Sequence, residues 1–276
     1  MAPVATFVDR EQTVGLLGRE FAAVAAVASG LTGDQWATDS CLPGWTVHDI
    51  LSHMIGTELM LLGQAPPVAD VSHLDHMRNP VAAANEVWVE SMRPVPGPEL
   101  VARWTAVTAD RLAALGSMTQ AEFDAPSWTP VGNDETYGRF MRIRHFDCYM
   151  HEQDIRVALG LPGRGDPEDV SSCLDEVATG LGYIVGRRAG LADGSRVQID
   201  LTGEVERTFL VRVEGRAAVV DALDGPATVG IELPASLFLR LTGGRADGAS
   251  GRAGEVRLSG DVAQARRLVD HLAFTI

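Results

Sequence analysis

The chain has 276 residues and a formal net charge of −14, with 46% hydrophobic and 22% charged residues. That balance suits a soluble globular protein of two domains, and no apolar run approaches the roughly 18 residues that a membrane span needs. So acidic a surface repels phosphate backbones, which argues against nucleic acid as a partner.

Every basic residue is arginine, so a Schiff-base lysine and a phosphate-loop lysine are excluded. An anionic ligand must then be held by arginine, whose fork suits carboxylates. The segment Met1 to Asp9 has no basic stretch followed by an apolar core, unlike a secretory signal. Cys41, Cys148 and Cys173 are odd in number and scattered, which points to free thiols in a reducing cytoplasm.

In chain order, Arg10 to Leu31 has a helical stripe at Val14, Leu17, Phe21, Val24 and Leu31. After the turn residues Cys41 to Trp45, Thr46 and Asp49 have capping-box spacing and predict a helix to about Leu62. Gln64 to Asn79 reads as a loop containing His73 and His76. Pro80 opens a third helix reaching about Met92. A fourth helix spans about Pro98 to Leu115, and Ser117 to Glu135 reads as a long polar loop. A fifth runs from about Thr136 to Leu159 and stops at Gly160 to Gly163, and a sixth from Pro167 to Arg188.

The pattern changes after Gly190. Arg196 to Leu201 and Thr208 to Val213 alternate as strands do, and Ala217 to Val220, Ala227 to Leu233 and Glu255 to Leu258 are further candidates. Pro234 to Leu241 and Val262 to Phe274 read as helices. The expected architecture is α+β: a helical domain over 1–190, then a smaller α+β domain over 195–276.

One constellation carries chemistry. Asp147 and His151 lie four apart on a predicted helix and share a face. His53, in the middle of the second helix, can supply a third ligand from a neighbouring helix of a bundle. Three N and O ligands with one open position are the pattern of a catalytic zinc site. The spacing alone also fits ordinary buried or surface histidines. Asp154 is placed to orient His151 from behind, and Asp49 could do the same were it not also a capping residue. His145 faces away from Asp147, and Cys148 reads as a packed small residue. Trp45, Trp88 and Trp104 read as core.

Two stretches are similar to a known family. Pro43-Gly-Trp-Thr-Val-His-Asp-Ile-Leu-Ser-His53 resembles the first metal-histidine helix of the mycothiol-dependent maleylpyruvate isomerases. Phe146-Asp-Cys-Tyr-Met-His-Glu-Gln-Asp-Ile-Arg-Val-Ala-Leu-Gly160 resembles their second metal segment. The resemblance implies a DinB-like four-helix bundle followed by a sterol-carrier-like domain, whose turn motifs resemble Leu241 to Arg245 and Ser259 to Asp261. It maps His53, Asp147 and His151 onto the family's zinc ligands, with Asp147 where the family often has glutamate. It also implies mycothiol, the low-molecular-weight thiol of actinobacteria, as a cofactor that adds to a small electrophile. In maleylpyruvate isomerisation, thiol addition to the cis double bond permits rotation, and elimination gives the trans isomer. Arg245 and Arg257 are candidates for holding a substrate carboxylate.

Three functions follow as expectations. The first is a metal- and mycothiol-dependent isomerase or S-transferase. The second is a metal-dependent hydrolase using bound water, and the third a non-enzymatic carrier of a small ligand.

Overall fold

The computed structural model describes residues 5–77, 79–246 and 254–275; Met1–Val4 and Arg78, within segments read above, lie outside them. The chain forms two compact units, Met1–Gly163 and Arg164–Ile276.

The helices of the first unit begin where short polar side chains can satisfy unpaired N–H groups. Asp9 accepts from the Gln12 N–H at 2.7 Å and starts α1 (Arg10–Ser29). The short α2 (Gly33–Trp36), absent from the sequence reading, is closed by the Thr32–Gln35 capping box. Thr46 and Asp49 form the expected capping box at α3 (Val47–Leu61), which Gly63 ends with φ 85°. Asn79 caps α4 (Pro80–Met92), and Pro98 lies in the first turn of α5 (Gly97–Ser117).

The segment expected as a loop over 117–135 is more ordered than its polarity suggested. Thr119 and Glu122 cap α6 (Gln120–Phe123), and β1 (Pro126–Thr129) pairs antiparallel with β2 (Gly132–Thr136). Strands this short and exposed carry too little alternation to stand out in sequence. Thr136 then caps α7 (Tyr137–Ala158).

Helices α1, α3, α5 and α7 pack on one another, with α4 against α3. Their core includes Leu17, Phe21, Ile50, Met54, Leu100, Trp104 and Met141. Phe21 and Trp104 meet edge to face at 5.2 Å, and the Trp104 Nε1–H donates to the Phe21 carbonyl at 3.0 Å. Burying the aromatic bodies stabilises the bundle, and the bond removes the cost of a buried indole N–H.

Close approach of α3 and α4 depends on Gly56. A Cβ there would lie 2.4 Å from Trp88 Cβ and 2.5 Å from its Cγ, atoms that cannot swing aside without moving the backbone. Gly56→Ala gains about 1 kcal/mol of helix propensity but incurs an overpacking cost of up to about 3 kcal/mol. We expect a net loss of roughly 2 kcal/mol, read as a lower urea midpoint at unchanged slope. An unchanged or raised midpoint would show that the helices separate freely.

The second unit holds a five-stranded sheet in the order β5-β4-β3-β6-β7. Its strands are β3 (Arg196–Thr202), β4 (Arg207–Glu214), β5 (Arg216–Val219), β6 (Val229–Pro234) and β7 (Arg257–Gly260). All neighbours are antiparallel except β3 and β6. Val197, Ile199 and Leu201 of β3 and Phe209, Val211 and Val213 of β4 turn to the buried face, as their period of two predicts. Packed on this sheet are α8 (Pro167–Tyr183), α9 (Ala235–Thr242) and α10 (Val262–Asp270). The sequence sets the domain limit where strands begin, near 190–195; α8 precedes that change yet packs on the strands of the second unit. It also ends earlier than expected, continuing as one π-helical turn, Ile184–Arg188.

Candidate metal centre

His53 lies on α3, and Asp147 and His151 lie one turn apart on α7, which packs against α3. The three residues come together: His53 Nε2 is 3.6 Å from Asp147 Oδ2, and His151 Nε2 is 3.4 Å from Asp147 Oδ1. The ligand atoms of the triad all lie within 4.8 Å of one another. Direct hydrogen bonds would bring these atoms to roughly 2.7–3.0 Å. Donors around a tetrahedral ion, with bonds of about 2.0–2.2 Å, sit roughly 3.3–3.6 Å apart. The two separations run to different oxygens of Asp147 and are longer than direct hydrogen bonds, and the triad is close enough for its three residues to share one ion. Both imidazole side chains are buried, whereas Asp147 keeps 32% of its side chain exposed, so the triad meets solvent at Asp147.

The surroundings bias each ligand. Burial lowers the pKa of His53 against the opposing pull of Asp147, which keeps the imidazole neutral with a lone pair to give. At His151 burial acts the same way, but Asp147 and Asp154 outweigh it and raise the pKa. Two carboxylates thus favour a cation at this ring: a proton, or an ion whose binding displaces that proton. Burial would raise Asp147, yet His151 and Arg144 hold it well below the usual carboxylate range.

Behind the triad stands a second layer of contacts. Asp154 Oδ2 lies 3.3 Å from His151 Nδ1, leaving Nε2 turned to Asp147. Arg144, one turn before Asp147 on α7, donates through Nη1 to Asp147 Oδ2. Its Nε and Nη2 reach Glu58 Oε1 at 3.1 and 2.8 Å, and Arg111 Nε donates to Glu58 Oε2 at 2.9 Å. All three of Arg144, Glu58 and Arg111 are buried.

Trp45 is half-buried and packs against the core, as expected, but it also faces the triad. Its ring lies 5.1 Å from that of His53 and 6.3 Å from that of His151, against the imidazole side of the triad. The indole Nε1–H donates at 2.8 Å to buried Glu86, which also lies 3.1 Å from His76 Nε2. Gly44 makes room for that histidine: its φ is 79°, and a Cβ would fall 2.7 Å from His76 Nδ1. Trp45 precedes α3, so helical spacing could not relate it to His53.

The remaining candidates are placed as follows. Asp49 caps α3 and pairs with Arg93 at 3.1 Å. His145 and Cys148 are buried, and the Cys148 sulfur accepts from Arg144 Nη2 at 3.3 Å. Cys41, in the turn before α3, donates through Sγ to Asp154 Oδ1 at 3.3 Å. Trp88 and Trp104 are buried, and His73 is exposed. Arg245 and Arg257 both belong to the second unit. Arg245 Nη1 donates to the Gly243 carbonyl, and Arg257 Nη1 pairs with Glu232 across β6 and β7 at 2.6 Å. No helix among the described residues is long and apolar enough to cross a membrane.

The family model of the mycothiol maleylpyruvate isomerase N-terminal domain matches residues 17–156, just over half the chain and the stretch that holds all three triad residues. A crystal structure of the mycothiol-dependent maleylpyruvate isomerase superposes with a TM-score of 0.59 at 14% identity, covering 90% of this chain and 96% of that one. A mutant form of that enzyme gives the same TM-score at 13% identity and the same coverage. Both share the α+β fold. No curated protein matches the sequence.

Proposed function

We infer function from kinship and geometry together: this chain belongs to the family of the mycothiol maleylpyruvate isomerase N-terminal domain. Within that family, our reading is a metal- and mycothiol-dependent enzyme, an isomerase or S-transferase, acting on a small electrophile. The carrying observation is the convergence of His53, Asp147 and His151, whose ligand atoms all lie within 4.8 Å of one another and suit zinc or another divalent ion. Bound there, the ion and the small thiol together would supply a nucleophilic sulfur, for an addition reversed in an isomerase and retained in a transferase.

The chain's own residues set up that chemistry. His53 and His151 present Nε2 from buried rings, and the Asp154 carboxylate lies 3.3 Å behind the second ring. Arg144 fixes the Asp147 carboxylate. Trp45 lines the imidazole side, so ligands approach where Asp147 is exposed. None of the three cysteines is a triad ligand, which favours a thiol supplied from solution. We place the protein in a reducing cytoplasm, on the odd number and scattered positions of its cysteines.

Cobalt in place of zinc makes the reading visible. Titrating mycothiol into the cobalt form should produce a sulfur-to-metal charge-transfer band, and turnover should require the thiol. A cobalt protein with no such band that still converts substrate without thiol would favour the hydrolytic alternative.

A further inference from the structure

Arg144 stands out because it spends a buried guanidinium on a residue that the site needs as a metal ligand. Its side chain is 4% exposed, and it donates to Asp147 Oδ2 through Nη1 while Nε and Nη2 are taken by Glu58. The fork is therefore fixed from behind, and Asp147 cannot turn that oxygen away without stranding a buried N–H. Asp147 Oδ1, 3.4 Å from His151 Nε2, carries no such bond to Arg144.

This arrangement has two opposed consequences. A guanidinium bonded to a ligand carboxylate shares its negative charge and repels an incoming cation, so it weakens metal binding. The same positive charge, poorly screened in a buried setting, strengthens the attraction of the site for an anion. We propose that Arg144 is a positioning residue that restrains Asp147 to ligation through Oδ1 and trades metal affinity for a tighter hold on an anionic sulfur ligand. The proposal rests on the metal and thiol reading given above and names what tunes it.

The trade separates this role from a merely structural one, which would weaken both bindings together. In Arg144→Gln, Glu58 keeps Arg111 as its partner, so the buried carboxylate is not left alone. Cobalt affinity, measured by competition with a chelator, should rise about tenfold as the repelling positive charge beside the ligand carboxylate is removed. Mycothiol affinity of the cobalt form, read from its charge-transfer band, should fall about tenfold as a nearby unit charge is lost. Arg144→Lys, which keeps the charge, should stay close to wild type in both. If urea titration shows Arg144→Gln unfolded, the paired variant Glu58→Gln/Arg144→Gln must give the same two signs. Metal and thiol affinities falling together, or neither moving, overturns the proposal while leaving the metal reading intact. Wild-type protein that takes up no cobalt, or whose cobalt form shows no sulfur band, overturns the underlying reading and this inference with it.

Discussion

His151→Ala and His53→Ala are each expected to take the purified protein from about one divalent ion per chain to almost none. A three-ligand site that loses one imidazole keeps two protein donors, fewer than any catalytic zinc arrangement uses. Loss of an outer contact alone weakens metal sites by about 10- to 100-fold, so loss of a ligand should exceed 100-fold. Elemental analysis after dialysis against a weak chelator gives the number. The apo variants should remain folded, since both substitutions shorten side chains at the site and leave the Ile50, Met54 and Met141 core untouched. Thiol-dependent turnover should vanish with the metal. His73→Ala, at an exposed loop position, should change neither metal content nor turnover. Asp147→Glu should retain metal, since glutamate is the carboxylate often found at this position in the family. Full metal occupancy in both histidine variants would place the ion elsewhere.

The helical framework was readable because its signals are local. Thr46 with Asp49, Asn79 before Pro80, and the Gly160 to Gly163 stop each act within a few residues, and the helices begin or end there. The spacing of Asp147 and His151 is equally local: four residues on a helix put both side chains on one face wherever that helix lies. His53 required a tertiary assumption, that its helix packs against the other, and α3 does pack on α7. What escaped the sequence depends on where the chain returns to itself. Glu58 lies five residues beyond His53 and has no pattern linking it to Arg144; only the docking of α3 on α7 brings them together. Trp45 meets His151 through a turn, not a helix face, and its indole finds Glu86 on another helix. Cys41 reaches Asp154 for the same reason. Arg144 could have been noticed, since it stands three residues before Asp147, but i, i+3 charge pairs are common on exposed helices. Its burial, not its spacing, gives it weight.

Glu58→Ala should be among the most destabilising single changes in the first unit, costing about 3–5 kcal/mol. Glu58 is 1% exposed and is the shared acceptor for Arg111 at 2.9 Å and Arg144 at 2.8 Å, themselves almost wholly buried. Truncation removes one negative charge from between two guanidinium groups, leaves a cavity, and strands several N–H donors. Arg111 retains the Tyr137 hydroxyl at 3.2 Å, and Arg144 retains Asp147, so each keeps part of its hydrogen bonding but loses its charge partner. Glu58→Gln keeps the shape and one acceptor oxygen and should lose less, because the donors remain partly satisfied. The two variants divide the cost between charge and packing when unfolding is followed in urea at constant salt. Exposed pairs offer the contrast: Arg103 and Glu99, at 2.8 Å with both side chains about half exposed, should contribute only a few tenths of a kcal/mol. If Glu58→Ala costs no more than Glu99→Ala, water must reach the buried guanidinium groups and relieve them. In that case the anchoring of Asp147 through Arg144 is weaker than the closed packing of α3, α5 and α7 implies.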